Sequence, residues 1–185
     1  MSEIITATPR DVSYILANLR QCDQRELDAT CPPEGVPGMA HIITQVATFS
    51  YVAVVKGELG GRHPVATWGA WQLHPGVWIV WMLATDRWGQ VARMVTKQAR
   101  EALGPALYEV GANRVECLSI EGHHQAHRWL RYFGAHVEHE DPDTLQGGEI
   151  CNWGINGETF YRFVWFRGDS FMQRYNKEEN EDGEI

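Results

Sequence analysis

Residues 77–103 read VWIVWMLATDRWGQVARMVTKQAREAL, and this stretch decides the fold of the chain. Its first eight residues are apolar, aromatic or β-branched, which is typical of a strand buried on both faces. After a break at residues 85–89, apolar residues recur at helical spacing, at positions 91, 94, 95, 99, 102 and 103. Such a strand–loop–helix places free backbone N–H groups at the carboxyl end of the strand, where they favour an anion. The sequence therefore predicts an anion-binding loop suited to a pyrophosphate.

The composition narrows the class of protein. A chain of 185 residues with 44% hydrophobic residues fits one globular domain with a real core. A net charge of −8 argues against a general nucleic-acid binder. No apolar run is long enough to span a membrane, and the N-terminus lacks the basic and apolar regions of a secretory signal. We therefore expect a cytoplasmic protein that binds neither nucleic acid nor membrane.

The four cysteines contain no CxxC pair, which favours reduced thiols over a zinc ribbon or a disulfide framework. His123 and His127 are four residues apart, a spacing at which two helical histidines can share a metal. No Glu or Cys completes a recognised metal pattern around them. We therefore predict no metal site, and regard these histidines as solvated or satisfied by hydrogen bonds.

The segments before this stretch alternate between helix and strand. Thr8, Pro9 and Asp11 predict a helix start with Thr8 as N-cap, and Asp23 with Glu26 resembles a second capping box. The other predicted elements are strands at residues 4–7, 50–55 and 65–73 and a helix at 39–48. Pro75 and Gly76 favour a turn that joins residues 65–73 and 77–84 into a hairpin. Its four tryptophans are predicted to pack in the core rather than to stack on a ligand.

The segments after residue 103 also alternate between predicted helix and strand. The predicted elements are a strand at 115–118, a helix at 123–133 with a glycine C-cap, and strands at 135–140 and 159–166. Residues 176–185, NKEENEDGEI, are acidic and poor in apolar side chains. We therefore predict one domain over residues 1–167 and a disordered acidic tail over 168–185. The order of elements predicts the α/β class, as a mixed α+β fold.

This order of elements resembles the GNAT (Gcn5-related N-acetyltransferase) superfamily over residues 3–167, and also the GNAT-like proteins of tailed phages. The main motif of the superfamily is Gln or Arg, two residues, Gly, one residue, then Gly or Ala. The matching segment here is RWGQVA, residues 87–92. Arg87 and Ala92 fit the motif, whereas Gln90 stands where the family has Gly.

A later pattern of the family is Asn, then Ala, then Tyr, ahead of a Gly-Phe pair. His123, Ala126, Leu130 and Gly134 stand at the corresponding positions. Ala126 and Gly134 fit, whereas His123 and Leu130 do not. In the family the Tyr often protonates the leaving thiolate of coenzyme A, and a leucine side chain has no proton to give.

The resemblance implies a GNAT-like fold, with a central mixed twisted sheet of about six to seven strands flanked by helices. It also implies an N-acyltransferase that moves an acetyl group from acetyl-CoA to an amine of a small molecule or a protein. The implied cofactor-binding residues fall into three groups. They are Leu83, Ala84 and Thr85 for the pantetheine, Arg87, Trp88, Gly89, Gln90, Val91 and Ala92 for the pyrophosphate, and His123 and Ala126 on the following helix.

Acetyl transfer to an amine requires a base that removes the ammonium proton. Glu116 is the first candidate because it lies on the strand beside the predicted crevice, and Ser119 is the second. A solvated or salt-bridged role for Glu116 is the more frequent one for such a residue. The missing Tyr and Gly leave open an inactive GNAT-fold phage protein with a structural, virion or host-interaction role. An acyl-CoA sensor without turnover and a homodimer also stay open.

Overall fold

A computed structural model describes residues 2–57 and 61–173, and the tryptophan-rich hairpin lies at the centre of its sheet. The strands are β1 (Ser2–Thr6), β2 (Phe49–Lys56), β3 (Arg62–His74), β4 (Val77–Ala84), β5 (Arg114–Ile120), β6 (His136–Val137), β7 (Glu149–Ile150) and β8 (Phe160–Phe166). The helices are α1 (Pro9–Leu16), α2 (Gln21–Thr30), α3 (Val36–Val46), α4 (Ala92–Gln98), α5 (Gly104–Glu109) and α6 (His124–Tyr132). A π turn (Ala99–Leu103) joins α4 to α5, and 3₁₀ turns cover Trp88–Gln90 and Ser170–Met172.

The strands form one mixed sheet, which confirms the predicted class. Their order is β1-β2-β3-β4-β5-β8-β6, and β7 pairs with β8. The only parallel pair among the described strands is β4 with β5, and the others are antiparallel. The sheet has eight strands because β7, a two-residue strand that was not predicted, pairs with β8. The strand predicted at residues 135–140 is present as β6, with two residues.

The parallel pair is short, and it creates the main crevice of the molecule. β4 pairs with β5 only from Val77 to Ile79, opposite Arg114 to Glu116. Beyond Ile79 no pair between these strands occurs in the described residues, whereas β5 stays paired with β8 along its whole length. The prediction that residues 77–84 are buried on both faces is therefore wrong for the middle of β4, where residues 79–83 are only partly buried.

Helices cover both faces of the sheet. α1, α2 and α3 form one core with β2 around Ile15 and Val52. α4, α5 and α6 form the larger core on the opposite face, around Trp68, Leu107 and Trp165. Of the four tryptophans predicted to pack in the core, Trp68 and Trp78 are buried. Trp71 and Trp81 are only partly buried and stack on each other, with ring centroids 6.3 Å apart.

The helix start at Thr8 is confirmed, since its hydroxyl accepts a hydrogen bond from the Asp11 amide at 3.3 Å. The second predicted capping box is wrong. α2 begins at Gln21, so Asp23 lies inside its first turn, and its side chain is 2% exposed. The helix predicted at residues 39–48 exists, but it runs from Val36 to Val46.

The C-terminal boundary lies further along the chain than residue 167. Phe171 and Met172 are buried in the larger core, so the domain includes at least residues 168–173. The acidic tail predicted at 176–185 lies outside the described residues. Among the helices that the structure describes, none has the length and apolar character needed to cross a membrane.

Candidate functional site

The crevice beside β4 leads into a cavity of about 330 Å³. It lies between the diverging edge of β4, the start of α4 and the first turns of α6. The lining residues are Arg20, Met82, Trp88, Ala92, Thr96, Gln125, Ala126, Arg128 and Trp129. Trp88 and Trp129 meet edge to face, with ring centroids 6.1 Å apart, and form an aromatic wall. Two arginines at an aromatic cavity suit an extended anionic ligand.

The loop between β4 and α4 differs from the predicted amide cradle. The amides of Trp88, Gln90 and Val91 donate to carbonyls of the loop itself, at 2.9–3.0 Å. Three of the amides predicted to bind a diphosphate, within residues 88–92, are therefore hydrogen-bonded inside the 3₁₀ turn, and the contact of this loop with a diphosphate stays a prediction. The first hydrogen bond of α4 is donated by the Val95 amide to the Val91 carbonyl. The backbone amides at the start of the helix, from Ala92 onward, come before this bond.

Side chains of this loop divide between the cavity and the surface. Trp88 and Ala92 line the cavity, as Ala126 does from α6. Arg87 and Gln90 are exposed, and the Arg87 guanidinium donates to the Gln90 side chain at 3.2 Å. Gly89 is also exposed. The predicted contribution of Arg87 to phosphate binding stays a prediction.

The end of β4 is already occupied by the segment before α2. The Ala84 amide donates to the Asp23 carboxylate at 2.6 Å, and the Ala84 carbonyl accepts from the Arg20 amide at 3.0 Å. Both backbone groups of Ala84 therefore already have partners, and its predicted pairing with a pantetheine stays a prediction. The Thr85 amide donates to the Val65 carbonyl on β3. Because backbone groups alternate in direction along a strand, the amide and carbonyl of Leu83 also face β3. The same alternation turns the backbone of Met82 toward the crevice.

A cluster of buried polar side chains bridges the diverged ends of β4 and β5. Glu26 lies one helical turn after Asp23, and its carboxylate accepts from the Ser119 hydroxyl and the Ile120 amide, both at 3.2 Å. The same carboxylate accepts from Nδ1 of His123 at 3.0 Å. Since a carboxylate only accepts, this contact places a proton on Nδ1. α2 thus joins both strand ends to the start of α6.

Arg20 connects this cluster to the cavity. Its guanidinium is 2.9 Å from the Asp23 carboxylate, donates to Gln125 at 3.3 Å and lies 5.5 Å from the ring centroid of Trp88. Burial raises the pKa of the Asp23 carboxyl above its ordinary value, and the charge of Arg20 opposes that shift. The arginine is 6% exposed, so the ion pair is almost fully desolvated.

The predicted base Glu116 takes part in an ion-pair network. It forms ion pairs with Arg114 at 2.5 Å and Arg162 at 3.6 Å, and both arginines also pair with Glu138. The carboxylate of Glu116 is paired with two cations. Glu116 also lies opposite Ile79, where β4 and β5 are still paired, and not at the end of β5 beside the crevice. Ser119, the second candidate, is 2% exposed and contacts Glu26.

The two histidines of α6 do not meet at one site. His123 Nδ1 contacts Glu26, whereas His127 Nε2 donates to the Ile120 carbonyl at 3.1 Å. The His127 ring also packs against Tyr161, with centroids 5.4 Å apart. Desolvation lowers the pKa of His127 below its ordinary value of 6.5.

Arg20 was not predicted as a site residue, and Asp23 and Glu26 were predicted to form a capping box. A usable signal was present, since these three residues are spaced three apart and therefore share one helical face. Gln125, Arg128 and Trp129 were not predicted as site residues, because they line the cavity only through the packing of α6 against α4.

Comparison with known proteins shows the fold. No protein-family model and no curated protein matches the chain. Solved acetyltransferase structures do match. They include a GNAT-family acetyltransferase from Bacillus anthracis (TM-score 0.61, 10% identity, 90% of this chain and 95% of that chain) and the ribosomal-protein-S5-alanine acetyltransferase from Vibrio fischeri (0.61, 16%, 91% and 94%). The protein yncA of Salmonella typhimurium, solved with its cofactor acetyl-CoA, also matches (0.60, 8%, 90% and 94%). The chain therefore has the fold of the GNAT acetyltransferases.

Proposed function

We propose that this protein is an acetyl-CoA-dependent N-acyltransferase that acts on an amine. The observation that carries the proposal is the crevice between β4 and β5, which joins a cavity of about 330 Å³ to the polar cluster around Glu26. The GNAT fold of the solved structures that match supports it. The acceptor class is a primary amine of a small molecule or a protein, and the expected compartment is the cytoplasm.

The residues around the cavity fit the outer part of acetyl-CoA. Arg128, exposed at the rim, supplies positive charge, while Ala92 and Ala126 leave space between α4 and α6. Backbone groups of Met82 face the crevice and suit an amide-containing chain. Arg87 and the helical amides from Ala92 onward are proposed to contact phosphate. Acetyl-CoA supplies the activated thioester from which the acetyl group is transferred.

Glu26 is the proposed base. Its side chain is 26% exposed, so an acceptor can approach it, whereas His123 is buried. The acceptor enters as an ammonium ion and must lose one proton before its nitrogen can act as a nucleophile. The Glu26 carboxylate accepts that proton, while Ser119, Ile120 and His123 hold it in place. His123 is a positioning residue in this scheme.

Binding and turnover can be tested separately. We expect acetyl-CoA to raise the melting temperature with increasing concentration, and Ala126→Trp to abolish that rise by filling the cavity. Ala102→Trp, at an exposed position of the π turn, is the matched control. No rise in melting temperature with wild-type protein would contradict the proposal.

Turnover is followed as release of free thiol with a panel of probe amines: lysine, spermidine and a peptide with a free N-terminus. Glu26→Gln should retain the rise in melting temperature and lose about 100-fold or more in thiol release, because the base is absent. Asp28→Asn, exposed on the same helix, is the control that should keep both. Unchanged thiol release in Glu26→Gln would remove Glu26 from the mechanism.

A second candidate is a GNAT-fold phage protein that no longer transfers acetyl groups and has a structural, virion or host-interaction role. Two observations favour it. Asp23 and Arg20 occupy the backbone groups of Ala84, and Leu130 is a buried core residue where the family has Tyr. Absence of any acetyl-CoA effect, together with detection of the protein in purified phage particles, would support this candidate over the enzyme.

A further inference from the structure

The start of α2 brings three potential metal ligands together at the crevice. The Sγ atom of Cys22, a carboxylate oxygen of Asp23 and a ring nitrogen of His123 all lie within 4.8 Å of one another. The distance from Cys22 Sγ to Asp23 Oδ1 is 3.7 Å, and that from His123 Nε2 to the same oxygen is 3.6 Å. Ligand atoms around a tetrahedral zinc ion are roughly 3.3–3.6 Å apart, given its bond lengths of about 2.0–2.3 Å. Small side-chain movements would therefore complete the geometry.

His123 is oriented as a metal ligand. Its Nδ1 proton is donated to Glu26, which leaves the lone pair of a neutral ring on Nε2. The residue is 7% exposed, and within the described part of the chain Nε2 has no hydrogen-bond partner. It points instead at Asp23 Oδ1, an acceptor. A carboxylate that accepts from the distal nitrogen of a metal-bound histidine is the usual second contact of such a site.

Asp23 has one oxygen left for a ligand. Its Oδ2 atom is held by the Ala84 amide and by Arg20. Its Oδ1 atom has only the weak contact from the thiol of Cys22. Cys22 is partly exposed, so an ion from solvent can reach the group.

We propose that Cys22, Asp23 and His123 form a site for a divalent zinc ion. Sulfur, nitrogen and oxygen ligands in this number suit zinc better than magnesium or calcium, which prefer oxygen alone. Three protein ligands leave a fourth position open for water or another ligand. When zinc binds, the Cys22 thiol loses its proton to solvent and the thiolate forms the bond to the metal. The site shares His123 with the proposed transferase scheme, but zinc binding by these three ligands does not require acetyl-CoA.

The test uses the full chain, stripped of metal and kept in a reductant that does not bind zinc. We expect one zinc ion per chain by calorimetric titration. Cobalt(II) should produce a thiolate-to-metal charge-transfer absorption. Cys22→Ala should abolish this absorption and weaken zinc binding more than about tenfold, whereas Cys151→Ala, an exposed thiol of another loop, should change neither. Glu26→Gln should weaken zinc about 10–100-fold through His123.

Two outcomes would overturn the site. One is the absence of a one-to-one binding isotherm, and the other is a cobalt spectrum that Cys22→Ala leaves unchanged. Either result would mean that Cys22, Asp23 and His123 contact only one another and their neighbours in the protein, without a metal. Because no readout involves acetyl-CoA, failure of this site leaves the proposed transferase activity to its own experiment.

Discussion

Asp23 is a buried carboxylate that connects segments distant in sequence. It contacts Arg20 in its own helix, Ala84 at the end of β4 and His123 at the start of α6. A buried ion pair of this kind gains little over apolar packing, but removal of one partner leaves the other charge unpaired in a desolvated place. At the scale of single residues, the integrity of the crevice therefore depends on Asp23.

Asp23→Ala should lower the free energy of unfolding by about 3–5 kcal/mol, because it leaves Arg20 and the Ala84 amide buried without their acceptor. Denaturation in urea measures this change. Asp28→Ala on the exposed side of the same helix should stay within about 0.5 kcal/mol of wild type. A loss below about 1 kcal/mol in Asp23→Ala would show that Arg20 finds another partner.

Among the helices, the long α4–α5 segment is interrupted by a π turn at Ala99–Leu103, just before Pro105. Proline has no backbone N–H to donate, so the regular hydrogen-bond pattern cannot continue through it. Gly104 at this junction packs directly against the chain after β8, and a Cβ atom there would lie 1.8 Å from the Phe171 carbonyl oxygen. The glycine is what allows the C-terminal turn to close over α5.

Gly104→Ala should destabilise the fold by about 1–3 kcal/mol, because the added methyl group meets backbone rather than a flexible side chain. Thermal or urea unfolding measures the effect. Gly38→Ala is the matched control, since that helical glycine has open space around it and the substitution should stabilise slightly. Equal stability of both variants would argue against tight packing of residues 168–173.

At the scale of the whole molecule, the sheet has one half formed by β1–β4 and another formed by β5–β8. Within the described residues, three backbone pairs between β4 and β5 join these halves. α2 and α6 supply further connections, and His127 of α6 makes its part of them sensitive to pH. His127 lies between α6 and β8, where burial lowers its pKa. A lowered pKa means that the unfolded chain binds the proton more readily than the folded one.

The free energy of unfolding should therefore be highest, with respect to His127, above its ordinary pKa of 6.5 and should decrease as the pH falls below that value toward the lowered pKa. His127→Gln keeps a donor for the Ile120 carbonyl and should flatten this decrease. Urea denaturation at pH 7.5 and pH 5 measures it, with the exposed His74→Gln as the control. An unchanged slope in His127→Gln would assign the decrease to other groups.

Local patterns determined much of this fold. The apolar run at residues 77–84 and the helical stripe after it define β4 and α4, and Thr8 marks the start of α1 by a bond that needs only three residues. The same patterns also predicted the order of the elements, and that order predicted a mixed sheet. They succeeded because periodicity and capping depend on neighbours in the chain.

The site depended on contacts between distant segments. Glu116 was predicted as the base, yet Arg162 of the neighbouring strand β8 pairs with it together with Arg114 of its own strand. Glu26 contacts Ser119 because α2 lies across the crevice. The Ala84 amide is also bonded to the side chain of Asp23, a distant partner that no local pattern reveals. The sequence by itself determined the strands, the helices and their order, because these follow from short-range periodicity. Only the tertiary structure decided which carboxylates, amides and arginines face the crevice, since desolvation and hydrogen bonding act between groups far apart in the chain.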